Sequence, residues 1–271
     1  MQGTTDTEIA DDTCFGFPGG LIDGSGITAA PCCCYKGFQP AVTDDANFLR
    51  EVAAVIVRDV PKETSNAVTI DTKRIYMAGH SNGCMAAISM ATLHSDLVAA
   101  VGCHAGTALT IFPDSYMPTP MFMVHGTADR LVPYNGSDDF LSAPSAYALI
   151  ADANGCTEHT DIRKLDESTN NYTEFTSTSC ANNSTVVLFS IDDVGHVPYL
   201  GFPAIEEGTL PTKVDTTQLA WDFVKSYSLA VAPELHYEKD EDDISSSPAC
   251  VRHASIACVF LMLIANLWVL V

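Results

Sequence analysis

Gly79-His80-Ser81-Asn82-Gly83 is the stretch of this sequence best suited to nucleophilic chemistry. A serine hydroxyl is a weak nucleophile until the chain holds it clear of its neighbours and sets a base beside it. The G-x-S-x-G spacing does the first of these. Glycines two residues before and two after the serine carry no Cβ, so a strand and a helix can meet at a turn too sharp for larger residues. The flanks fit that geometry. Lys73–Ala78 is β-branched and aromatic and reads as a buried strand, and Cys84–Ala91 is small and apolar and reads as a helix packed on a sheet. On such a turn Ser81 is the expected nucleophile. The backbone N–H of Asn82, at the helix start, is the expected donor to an oxyanion. A chance G-x-S-x-G in a loop is the alternative, and the flanking strand and helix argue against it.

A nucleophile of this kind takes its acid and its base later in the chain, in the order Ser, Asp, His. Pro120–Val124 is an apolar run that reads as a central strand, and it leads into His125-Gly126-Thr127-Ala128-Asp129. Asp129 is the expected acid, with an aspartate that merely caps its own loop as the alternative. Val186–Ile191 is a second apolar strand, leading into Asp192-Asp193-Val194-Gly195-His196. His196 is the expected base. The sequence has eight histidines. His80 fills the variable slot of the turn, and His94 ends the helix that follows, where a basic side chain suits the dipole. His104 and His125 follow strands and are candidates to line the cleft. His159 lies in a polar stretch, and His236 and His253 lie past the globular part. His196 alone is late enough in the order and on a strand-end loop.

Further motifs surround these. Pro31-Cys32-Cys33-Cys34 is followed by Thr43-Asp44-Asp45-Ala46-Asn47-Phe48-Leu49, which opens a helix from Asp44 to about Val60. Ile70-Asp71-Thr72-Lys73-Arg74-Ile75-Tyr76 then precedes the serine turn. Together with Gly-His-Ser-Asn-Gly and His-Gly-Thr-Ala-Asp, these resemble the secreted polyhydroxybutyrate depolymerase and feruloyl esterase family of α/β-hydrolases, from about Gly20 to about Tyr227. The resemblance implies an α/β-hydrolase fold, three layers about a mostly parallel sheet, with Ser81, Asp129 and His196 as its triad. It implies a carboxylic ester substrate, such as a polyester oligomer or an acylated polysaccharide. Members of the family also carry strands ahead of the first of these motifs, one with a His-Gly turn that gives a second oxyanion donor. Nothing before Asp44 reads that way, and the tryptophan near the cysteine pair is replaced by Gly26-Ile27-Thr28-Ala29-Ala30. The chain is therefore expected to lack the first strands of the fold. A surface protein that keeps the hydrolase shape without turnover is the competing class.

The composition narrows the partners. Thirteen Lys and Arg against 34 Asp and Glu give a net charge near −21 over 271 residues, which argues against nucleic acid or an anionic membrane surface. No glycine-rich phosphate loop follows a strand, and Cys32-Cys33-Cys34 leaves no room for zinc ligation. No cofactor and no metal are expected. Ten cysteines, with sequons at Asn135, Asn171, Asn182 and Asn183 as glycosylation candidates, point to an oxidising compartment. Cys156 and Cys180 bracket the polar stretch Thr157–Ser179 and are expected to form a disulfide, while Cys84 and Cys103 are expected to sit reduced in the core. Cys14 and the run from Cys32 to Cys34 leave their pairing open.

Four segments are expected: a polar stretch over 1–12, the catalytic domain over 13–230, an acidic and serine-rich linker over 231–254, and a hydrophobic tail helix over 255–271. No signal peptide is visible in Met1–Ala10. The tail carries no charge and follows Ser245-Ser246-Ser247, the order of a GPI-attachment signal. A C-terminal transmembrane helix is the alternative, at the short limit for spanning and with no basic residue beyond it. Either one would attach the protein to a membrane at the cell surface.

Overall fold

The apolar runs do become strands, and their residues alternate between two buried faces. The computed structural model describes residues 45–108, 112–164, 171–196, 214–235 and 267–270. In chain order the elements are α1 (Asp45–Glu63), β1 (Tyr76–His80), α2 (Asn82–Leu93), β2 (Ala100–His104), β3 (Met121–Gly126), α3 (Ala143–Ala153), β4 (Glu158–Lys164), β5 (Tyr172–Thr178), β6 (Val186–Ile191), α4 (Thr216–Val224) and β7 (Leu267–Leu270). They build one sheet in the order β4-β5-β6-β3-β2-β1-β7. β1, β2, β3 and β6 run parallel, and β5 and β7 run against their neighbours. This is an α/β fold.

Successive side chains on a strand point to opposite faces. Met121 and Met123 of β3 and Val186 and Leu188 of β6 join the main core with residues of α1, α2 and α3. Phe122, Val124, Val187 and Phe189, between them in sequence, pack on the other face with Ala220 of α4. Both faces being covered is why β2, β3 and β6 read as unbroken apolar runs rather than alternating ones. Helix α2 is buried nearly all round, from Gly83 to Thr92, and small residues such as Ala86, Ala87 and Ala91 let it lie close to the sheet. Ser142 caps α3 by accepting from the Ser145 amide at 3.1 Å, and Asp215 caps α4 by accepting from Gln218 at 2.8 Å.

Three expectations change. The polar stretch between Cys156 and Cys180 is a β-hairpin, β4 and β5, that extends the sheet beyond β6. Its polarity follows from its place, for β4 is exposed along its whole length and its Arg163 and Lys164 are charges of the kind that guard an edge strand. The expected Cys156–Cys180 disulfide closes this hairpin, with the Cα atoms 3.8 Å apart. Cys84 and Cys103, read as reduced, are also joined, with Cα atoms 4.7 Å apart. Parallel pairing sets Cys103 opposite Gly79, and Cys84 lies in the first turn of the helix that doubles back over that position. Two disulfides fit an oxidising compartment.

The third change concerns the tail. Leu267–Leu270 is a strand, paired antiparallel with β1, and not part of a helix. The outer edge of β1 offers a row of backbone donors and acceptors, and a β-prone Leu-Trp-Val-Leu run can satisfy them. Among the described residues no helix is long and apolar enough to cross a membrane. The remainder of the tail, the segment before Asp45 with its cysteines, and residues 236–254 of the linker lie outside the described residues.

Candidate active site

Parallel strands bring the loops after β1, β3 and β6 to the same edge of the sheet, and each loop delivers one of the residues picked from the sequence. The first loop is a single residue. β1 ends at His80 and α2 begins at Asn82, so Ser81 alone makes the turn, with φ 58° and ψ −122°. That is a strained conformation for serine. It is held by neighbours: the Ser81 amide donates to the His104 carbonyl at 2.9 Å, and its own carbonyl accepts from Cys84 and Met85 at 3.0 and 3.2 Å. Asn82 is the first helical residue, so its amide has no acceptor within the helix. A Cβ at Gly79 would run into the backbone of Gly83 and Cys84, which explains the glycine at this position. Gly79→Ala is accordingly expected to cost about 3 kcal/mol or more. Urea unfolding checks this, and a loss under about 0.5 kcal/mol would show that strand and helix can part at no cost.

The second loop follows β3. Asp129 is buried, and its two carboxylate oxygens do different things. Oδ1 accepts from the amides of Leu131 and Val132 at 2.9 and 3.0 Å, and Oδ2 accepts from His196 Nδ1 at 2.8 Å. The loop-capping reading of this aspartate and the histidine-orienting one are both realised, one on each oxygen. Burial by itself would raise the carboxyl, but the nearby His125 N–H, the hydrogen bond from His196 and the Val132 amide outweigh it and hold Asp129 well below the usual carboxylate range.

The third loop follows β6 and is clamped onto the second. Ala128 donates to the Val194 carbonyl at 3.0 Å, Thr127 to the Ile191 carbonyl at 2.9 Å, and the Asp193 amide to Thr127 Oγ1 at 3.0 Å. A Cβ at Gly126 would strike the backbone of Val194 and Gly195. The Gly-Thr pair ahead of Asp129 thus docks the loop that carries His196, a role invisible until the two loops are seen to cross. His196 itself is buried, with Nδ1 on Asp129, so Nε2 is the nitrogen that stays available.

His80 ties the first loop to the other two. Its ring lies against that of His196, with centroids 4.5 Å apart and planes at 53°. His80 is buried, and among the described residues its Nε2 has no hydrogen-bond partner. Burial, then the proximity of His196 and His104, pushes its pKa down to about 3. His104 ends β2 directly beside it and is pushed down to about 4 by burial. Both imidazoles stay neutral across the physiological range. His104 and His125, which the sequence offered as residues to line the cleft, are both buried.

The remaining candidates lie elsewhere. Asn135, Asn182 and Asn183 are exposed and Asn171 is half-buried, and the Asn182 amide donates to the Pro118 carbonyl at 3.2 Å. Among the described residues no group of three or more His, Cys, Asp or Glu could hold a metal ion.

No family model matches the chain. It is 26% identical to feruloyl esterase B of Piromyces equi over 220 residues, which take in 76% of this chain and 34% of that protein. The likeness is to an esterase. The chain spans about a third of the length of that curated relative. At this identity the comparison supports a distant, esterase-like relationship.

Proposed function

We propose that the protein is a serine esterase of the α/β-hydrolase type, with Ser81 as nucleophile, His196 as base and Asp129 as the carboxylate that orients it. The observation that carries this reading is the 2.8 Å hydrogen bond from His196 Nδ1 to Asp129, formed at the sheet edge where the strained Ser81 turn also stands. With its Nδ1–H donating to Asp129, His196 presents a bare Nε2 to a serine proton. The Ser81 oxygen adds to the ester carbonyl as that proton moves to His196, and the Asn82 amide donates to the resulting oxyanion. His196 then returns the proton to the departing alcohol, leaving an acyl group on Ser81. Water attacks the acyl carbon with His196 again taking a proton, and the carboxylic acid leaves as Ser81 is restored.

Carboxylic esters of polyester oligomers or acylated polysaccharides are the substrate classes this reading favours, and the esterase name of the relative supports the reaction type. A fluorophosphonate probe phosphonylates an activated serine irreversibly. Treatment of the full chain followed by peptide mapping is expected to find the label on Ser81. Label on another serine would reassign the nucleophile. A folded protein that takes no label would favour the competing class, a hydrolase-shaped protein without turnover.

A further inference from the structure

Asp129 has a second histidine on it. His125 lies four residues earlier, near the end of β3, and is 2% exposed. Its Nε2 is 2.8 Å from the Val132 carbonyl and 3.4 Å from Asp129 Oδ2, the same oxygen that His196 uses. A carbonyl and an ionised carboxylate can only accept, so the nitrogen between them must carry the proton. That fixes His125 as the Nε2–H tautomer. The carboxylate accepts from the Leu131 and Val132 amides on Oδ1 and from His196 on Oδ2, and the His125 N–H, which donates to Val132, stands 3.4 Å from the same Oδ2. The three donors belong to loops, whereas His125 belongs to the sheet.

We infer that His125 is a positioning residue, whose Nε2–H pins Asp129 to the end of β3 and shares the charge of Oδ2 with His196. The inference rests on the proposed roles of Asp129 and His196. It has two consequences. Without His125 the carboxylate is referenced only to groups on loops, and His196 loses the fixed partner that sets its ring orientation. Oδ2 also concentrates its negative charge on His196, which favours the imidazolium. His196 then holds its proton to higher pH and is a poorer base at neutral pH. The other titratable groups around His125 are Tyr134, whose ring meets it edge-on at 5.8 Å, and His80, which stays neutral.

Histidine 15N NMR on the full chain, with turnover of a p-nitrophenyl ester alongside, tests this. Wild-type His125 is expected to be protonated at Nε2. In His125→Phe the titration midpoint of His196 is expected to move up by about one pH unit. The acid limb of kcat/KM is expected to follow it, and kcat to fall about tenfold with KM within twofold. His125→Gln places an N–H at the same reach and is expected to restore both. A role in packing alone would lower activity without moving the midpoint, and Gln would not rescue it. An Nδ1–H tautomer in the wild type overturns the inference, and that measurement stands even where the Phe variant does not fold. A Phe variant with an unmoved midpoint overturns it as well. Failure of Ser81 to take a fluorophosphonate label counts against the esterase reading alone, since tautomer and midpoint need no turnover.

Discussion

His196→Ala is expected to lower kcat/KM on a simple ester by about four orders of magnitude or more while the fold survives. The two halves of this expectation come from different parts of the structure. The activity loss follows from Nε2: without it the Ser81 hydroxyl has no acceptor for its proton, and the departing alcohol has no donor. The survival of the fold follows from Asp129. Removing one donor from a buried carboxylate is ordinarily severe, because an uncompensated charge remains. Here the Leu131 and Val132 amides still donate to the carboxylate and the His125 N–H stands 3.4 Å from it, so the charge stays compensated. Ser81→Ala is expected to cost about as much, and the double variant little more than either single one, because the two residues act as a unit. Initial rates on a p-nitrophenyl ester, with circular dichroism as the control for folding, check this. Near wild-type turnover in His196→Ala would end the assignment. Equal losses in both singles that add in the double would mean that the two residues do not share a step.

The serine turn was legible because its chemistry imposes residues at fixed spacing. Gly79 is dictated by the local approach of strand to helix at Gly83, and that approach can be read from five residues. Asp129 and His196 were legible by order and by position after apolar strands, and the structure does place them in contact. What could not be read was everything that depends on how separate loops cross. Gly126 and Thr127 look like ordinary loop residues until the loop after β6 is laid over them. His125 looks like a cleft residue because strand-end residues often are, whereas the turn that Asp129 makes brings the Val132 carbonyl back over it and shuts it in. The Cys84–Cys103 link depends on register between β1 and β2, which is a pairing of distant segments. The β4–β5 hairpin was missed for another reason. An edge strand exposed along its length has no apolar face, and so no period of two to detect. The tail shows the same effect in reverse. Apolarity alone reads as a membrane helix, but an unpaired edge on β1 competes for Leu267–Leu270.

The fold itself is expected to be sensitive to mild acid, from about pH 6.5 downward, and the cause is the pair of buried histidines beside the site. In the folded chain His80 takes up a proton only near pH 3 and His104 only near pH 4. In the unfolded chain both titrate near 6.5. Between these values the unfolded state binds more protons than the folded one, so stability rises with pH across this window. The contribution is complete above pH 6.5 and is lost as pH falls toward 4. Each histidine contributes a slope of up to about 1.4 kcal/mol per pH unit. Both together can remove a large part of a typical folding free energy of about 5–15 kcal/mol. Asp129 acts in the same direction but lower on the scale, because its carboxyl titrates near 3.8 in the unfolded chain and well below that in the folded one. The position of the onset therefore separates the two causes. The groups that face His80 are His196, His104, Asp129 and His125, and of these only the Asp129 carboxylate favours a charged His80. Its attraction is outweighed by burial, so the site gains nothing from protonating there. Urea unfolding at intervals from pH 8 to pH 4.5 is expected to show the decline beginning near 6.5. In His80→Phe, which keeps a ring against His196 and has no proton to gain, the slope is expected to fall by about one proton. Stability that is level from pH 7 to pH 5, or a Phe variant with the wild-type slope, would show that His80 is not held neutral by the fold.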